Sequence, residues 1–184
     1  SITNLAVLSA EVVALPTRAA INFHDGPLPE YAGLNTPIWA MLNGEAGHGI
    51  TWHLMTQAVD QGDILVQRRF ELSDNETALT LNTKCFAAGM ESFEELVAGL
   101  ASGELKGQPQ TAGIQKYFGR KDRPGAACAI RWDQPAEAMA TLVRALDFGT
   151  YANPLGSAKA VCNGQLVVVP ELRVTETRSS QAPG

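Results

Sequence analysis

Between Ser73 and Gly103 the apolar residues Leu79, Phe86, Met90, Phe93, Val97 and Leu100 recur at helical spacing. That periodicity predicts one long amphipathic helix, with Ser73 and Glu76 as an S-x-x-E capping box at its start and Gly103 at its end. A helix this long must lay a face against something. The chain before it supplies strands: the runs 49–55 and 64–72, joined by a turn over 59–63, both read as extended. Earlier still, residues 19–24 form a short apolar run that opens into the Gly/Pro-rich stretch 25–33. A short helix follows, capped by Asn35 or Thr36, with Pro37 in its first turn and Asn43-Gly44 at its end. Later, Pro135 opens a helix through about Leu146, and 165–169 reads as a strand. Strands alternating with helices predict an α/β sheet with a site at its edge.

With 184 residues and 45% hydrophobic side chains, the chain can bury a core as one domain, or as one domain plus part of a second. Its net charge of -5 excludes a wholly basic nucleic-acid protein. The charge is uneven: residues 1–115 hold 5 basic and 13 acidic groups, a net of -8, and residues 116–184 hold 9 and 6, a net of +3. The change falls at a Gly/Pro/Gln stretch, so the expected organisation is a first part over 1–106, a linker over 107–116 and a second part over 117–184. No run is long and apolar enough to span a membrane and no leader is evident, so the expected partners include no membrane and the expected location is cytoplasmic. Cys85, Cys128 and Cys162 fit neither a disulfide framework nor a CxxC motif and read as reduced, partly buried side chains. Three histidines without an HExxH pair make a metal site unexpected.

Chemistry concentrates in two places. Asn22 and His24 are two apart on a strand, so they point to one side, where the strand opens into its loop. Asp60 lies in the turn 59–63, where Gly62 allows a close backbone approach. An amide and an imidazole can steady an oxyanion while a carboxylate orients the imidazole and takes up protons, which is the equipment of an acyl transfer. The plainer reading of each also stands: a hydrogen-bonded structural histidine and an Asp that forms a turn. On pattern alone His53, mid-strand and two after Thr51, reads as structural, His48 between glycines as an exposed turn residue, and Trp39, Trp52 and Trp132 as packing. There is no GxSxG elbow, P-loop or GxGxxG fingerprint.

The ordered set Ile21-Asn-Phe-His-Asp-Gly-Pro-Leu-Pro-Glu-Tyr-Ala-Gly33, Leu42-Asn-Gly-Glu45, Gly49-Ile-Thr51 and Val59-Asp-Gln-Gly-Asp-Ile-Leu65 resembles the catalytic half of the formyltransferases that use 10-formyltetrahydrofolate. The match covers about residues 2–110. The resemblance implies Asn22, His24 and Asp60 as catalytic, Thr51 and His53 as polar support near them, and the 56–63 turn, with Val59, Gln61 and Gly62, as a folate-contacting loop. It implies 10-formyltetrahydrofolate as formyl donor and a primary amine as acceptor: an aminoacyl group, an amino sugar or a tRNA-linked amino acid. Hydrolysis to formate and a non-catalytic docking module of a multidomain synthetase are the alternatives. The implied fold is a partial Rossmann-like domain, a mixed sheet with flanking helices, followed by part of a smaller α+β, OB-like domain. Tyr117, residues 130–133 and the helix containing 142–146 resemble the opening of that second domain in methionyl-tRNA formyltransferase. Two departures stand out. The family usually follows its histidine with Pro-Ser or Gly-Ser, where this chain has Asp25-Gly26, and members carry roughly 90 residues ahead of the point where Ser1 falls, including the first Rossmann half. The chain is therefore expected to be a piece of a larger polypeptide.

Overall fold

Alternating side chains sort one short strand into two uses, and this sorting builds the site. The computed structural model describes residues 1–2, 5–111 and 115–176; the last eight positions of the expected second part lie outside the described residues. A three-stranded antiparallel sheet runs in the order β1 (Ile21–His24), β3 (Gly47–Leu54), β4 (Ile64–Glu71). Its register sets Asn22 opposite His53 and His24 opposite Thr51 on one face, and Phe23 opposite Trp52 on the other. The second face is apolar and receives the long helix α3 (Ala78–Ser102), with Phe23, Ile50, Trp52, Val66, Cys85 and Leu96 buried between them. The first face is polar and left for chemistry.

Between β1 and β3 the chain forms a loop over 25–30, buried at 26–28 and with a cis Leu28–Pro29 bond, then β2 (Tyr31–Gly33) and α2 (Thr36–Leu42). The short helix α2 follows its sequence signals, with Asn35 at the N-cap, Pro37 in the first turn and Asn43 at the C-cap. Strand β2 pairs in parallel with β5 (Lys116–Phe118), so the chain beyond the 107–116 stretch returns to the site. Gln108 also bridges to Ile64, with both backbone hydrogen bonds at 2.8 Å. A second core gathers α2, the start of α3 and α4 (Ala136–Leu146), with Ile38, Met41, Leu81, Val143 and Leu146 among its buried members. A hairpin of β6 (Lys159–Cys162) and β7 (Gln165–Val168) turns at Asn163-Gly164, both in the left-handed region. One further turn, α1 (Ala10–Val13), lies near the start. The architecture is the mixed α/β one expected. Among the described residues no helix is long and apolar enough to cross a membrane.

Several local expectations are corrected. The capping box of α3 is Thr77 with Thr80, not Ser73 with Glu76. The Ser73 backbone N–H and hydroxyl do reach Glu76, at 3.3 and 3.1 Å, but in a turn just before the helix, where Glu76 also pairs with Lys84. The buried stripe of α3 is Ala78, Leu81, Cys85, Gly89, Ser92 and Leu96. Of the bulkier stripe read from the sequence, Phe86 is 41%, Met90 73% and Val97 47% exposed, while Leu100 packs against the sheet core and the Phe86 and Phe93 rings reach Phe23 and Trp52 from its margin. Cys85 and Cys128 are buried but Cys162 is exposed, and all three are free. Trp39 stacks on Phe118 at 4.7 Å and Trp52 is buried, whereas Trp132 stands at the surface. His48 is no exposed turn residue. It lies inside β3, buried beside the Tyr31 and Phe70 rings, and donates from Nε2 to the Asp25 carbonyl at 2.8 Å. Glycines on both sides look like a turn locally, but strand pairing with Phe70 overrides that preference.

Candidate active site

Three chain segments bring the candidate residues together. Strand β1 supplies Asn22 and His24, strand β3 supplies Thr51 and His53, and the loop between β3 and β4 folds Asp60 back over them. Two features aim that loop. A register shift between Trp52 and His53 breaks the pairing with β4 just before it. Gly62 then passes so close to Leu54 that a Cβ would lie 1.8 Å from the Leu54 carbonyl oxygen, so the glycine serves a close approach to the protein's own backbone. Asp60 itself adopts a left-handed φ of 56°.

The carboxylate meets both rings. His24 Nδ1 lies 3.8 Å from Asp60 Oδ2, and His53 Nε2 lies 3.5 Å from Asp60 Oδ1. The Gly33 backbone N–H donates to Oδ2 at 2.8 Å. Asp60 and both histidines are buried. Burial alone would raise the Asp60 carboxyl. The hydrogen bond from His53, the charge of His24 and the Gly33 amide outweigh it and hold the carboxyl below its ordinary value.

Backbone carbonyls assign the protons. His24 Nε2 lies 2.8 Å from the Tyr31 carbonyl, which can only accept, so Nε2 carries hydrogen and Nδ1 faces Asp60 Oδ2, pairing with the carboxylate when the ring is protonated. His53 Nδ1 likewise donates to the Leu54 carbonyl at 2.8 Å, and its Nε2 faces both Asn22 Nδ2 at 3.3 Å and Asp60 Oδ1 at 3.5 Å, accepting from the amide when the ring is neutral and donating to the carboxylate when the ring is protonated. The hydrogen bond to His53 uses one Asn22 amide hydrogen. The second makes no hydrogen bond among the described residues.

The expected support residues divide. His53 touches both Asn22 and Asp60. Thr51 instead holds the 26–28 loop: its hydroxyl donates to the Gly26 carbonyl at 2.8 Å and accepts from the Leu28 N–H and Gln67 Nε2, both at 3.1 Å. Val59 and Gln61 are exposed on either side of the buried Asp60. Sequence reasoning missed Tyr31 and Gly33, which act through backbone groups that no side-chain pattern marks, and Gln67, whose amide also donates to the Leu28 carbonyl at 2.8 Å. It also missed Gly26, where a Cβ would sit 2.7 Å from His24 Nε2. The Gly/Pro density of 25–33 was the one available signal. Elsewhere, an open groove of about 1130 Å3 between residues 72–77, α4 and residues 170–174 contains none of these residues. Among the described residues no cluster of His, Cys, Asp and Glu could hold a metal ion.

The chain is similar to several solved formyltransferases. The N-formyltransferase of Helicobacter canadensis, solved with folinic acid and dTDP-3-aminofucose, is similar at a TM-score of 0.69 and 24% identity, over 82% of this chain and 53% of that one. A sugar 3N-formyl transferase solved with dTDP and 5-N-formyl-THF matches at 0.68 and 26%, over 82% of this chain and 52% of that one. A 4-N formyltransferase from Francisella tularensis matches at 0.76 and 23%, over 95% of this chain and 70% of that one. The chain thus spans about half the length of the first two. The family model for formyl transferases matches residues 4–97, just over half of the sequence, and includes every residue of the site. The chain belongs to the formyl transferase family.

Proposed function

We propose that this chain carries the catalytic residues for transfer of a formyl group from 10-formyltetrahydrofolate to a primary amine. The observation that carries the reading is the meeting of Asn22 and His24, from strand β1, with Asp60, from the loop between β3 and β4, around one polar face. Folate ligands in similar proteins support the donor: folinic acid in one, 5-N-formyl-THF in another, and tetrahydrofolic acid in HypX of Aquifex aeolicus. The donor set suits the formyl oxygen, since it offers one amide hydrogen and one imidazole beside a carboxylate.

In this reading the acceptor nitrogen bonds to the formyl carbon and the carbonyl pair moves onto oxygen. The second Asn22 hydrogen and a protonated His24 Nδ1 stabilise that oxyanion. Asp60, kept ionised by its neighbours, pairs with His24 and takes the proton that the attacking amine gives up. The bond from the formyl carbon to N10 then breaks, its electron pair and a proton go to N10, and the products are a formamide and tetrahydrofolate. Val59 and Gln61 line the donor's approach on the turn that carries Asp60. An amino sugar is the acceptor class that the similar proteins favour, given dTDP-3-aminofucose in one of them.

The test supplies the full-length protein with 10-formyltetrahydrofolate and, in turn, a dTDP-linked amino sugar, an aminoacyl-tRNA or no amine, with products identified by mass spectrometry. A formylated amine is the expected result. Free formate at the same rate with and without amines would replace transfer by hydrolysis.

A further inference from the structure

The stretch over 107–116 looks like a spacer in the sequence, yet one of its side chains grips the acid's own turn. Gln110 Nε2 donates to two carbonyls, that of Asp60 at 2.9 Å and that of Gly62 at 2.7 Å. We propose that Gln110 is a positioning residue for Asp60, its amide closing the turn so that the carboxylate stands within reach of both imidazoles. The claim rests on the reading of Asp60 as the acid that serves His24.

Three observations support it. First, the turn needs holding. Asp60 sits at a φ of 56°, which is unfavourable for a residue with a Cβ. Two bonds to carbonyls two residues apart oppose its relaxation. Second, the grip is anchored. Gln108 is paired to Ile64 by two backbone hydrogen bonds of 2.8 Å, so Gln110 arrives from a fixed point on β4. Third, the contact is made by the donors alone: among the described residues Gln110 Oε1 is buried with no hydrogen-bond partner, and an unsatisfied acceptor of that kind is a cost. The site has little slack to absorb a displaced turn. Of the contacts to the Asp60 carboxylate only the Gly33 bond is short, while the histidine contacts lie at 3.5 and 3.8 Å.

The test compares Gln110→Met, which keeps the length and removes the donors, with Gln110→Lys, which keeps donors at similar reach. Both are made in the full-length protein and assayed with 10-formyltetrahydrofolate and whichever acceptor supports turnover. Gln110→Met is expected to lower kcat by up to about 100-fold, as a catalytic group displaced by about an ångström does. KM for the donor should rise as well, because Val59 and Gln61 lie on the turn that Gln110 holds. Gln110→Lys should recover most of the rate. In 13C-detected NMR the Asp60 carboxyl should titrate higher in Gln110→Met as its contacts loosen. Wild-type kcat with an unchanged Asp60 titration, or equal impairment in both variants, would overturn the proposal. If Gln110→Met fails to fold, Gln110→Glu, similar in shape without donors, is measured in its place and judged alike. Should His24→Ala keep full turnover, the parent reading fails, and the Asp60 titration still decides the role of Gln110.

Discussion

Single atoms set the chemistry of this site. The Tyr31 carbonyl pins the proton of His24 on Nε2 and thereby aims Nδ1 at Asp60. Gly26 leaves room for that arrangement, since an added Cβ would meet His24 Nε2 at 2.7 Å, Thr36 Oγ1 at 2.8 Å and the Tyr31 carbonyl at 2.9 Å. Gly26→Ala should therefore push His24 aside, costing about 1–3 kcal/mol of stability through overpacking. It should also lower turnover by about 100-fold through misplacement, as steady-state kinetics and urea denaturation will show. Asp60 carries a pH signature. Its folded value lies below its unfolded one, so its stabilisation is complete above the ordinary carboxyl value of about 4 and is lost as pH falls through the folded value. Asp60→Asn, compared with the native protein by urea melts at neutral pH and near pH 3, should lose less stability on acidification. An equal loss in both proteins would show that the carboxyl is not held down.

At the scale of elements, strand register assigns the two faces of β1 and β3, and this much is legible in the sequence. Asn22 and His24 are two apart, and the run 49–55 is plainly extended. The helix α3 was legible in extent but not in orientation. Periodicity finds stripes without saying which one the rest of the chain covers, and the large residues Phe86, Met90 and Val97 outweigh the small Ala78, Cys85, Gly89 and Ser92 that face the sheet. Its start was misplaced because Ser73 and Glu76 also bond, a few residues early. The true cap makes a direct prediction. Thr77→Ala should destabilise the protein by about 1 kcal/mol, whereas Ser73→Ala should cost less, both read from thermal melts. The site's support was the least legible part, because Tyr31 and Gly33 act through their own backbone and Gln110 grips the backbone of a distant turn, contacts brought together only by the β2–β5 pairing and the return of residues 107–111 to β4.

Across the whole molecule, the two differently charged stretches of sequence are joined at the site rather than strung apart. Strand β5 lies against β2, and Lys116 reaches Glu45 and the Tyr31 hydroxyl, with its ammonium 4.6 Å from the Tyr31 ring centroid. Beside this seam lies His48, whose Nδ1 is buried without a partner among the described residues. Burial holds its imidazole below the ordinary value despite the Asp25 carbonyl. The unfolded chain therefore takes up that proton first, and stability should decline as pH drops below about 6.5 toward the lower folded value. His48→Phe should flatten that decline in urea melts between about pH 7.5 and 5.5, a window set by the ordinary histidine value.

Single-turnover formation of tetrahydrofolate from 10-formyltetrahydrofolate bears most directly on the account, measured on the full-length protein and on His24→Ala and Asp60→Ala with the acceptor that supports turnover. Each variant should be slower by about 100-fold or more, the range of a lost acid–base or oxyanion group, while remaining folded. Rates close to native in both would mean that the carboxylate and the imidazole meet here without taking part in catalysis.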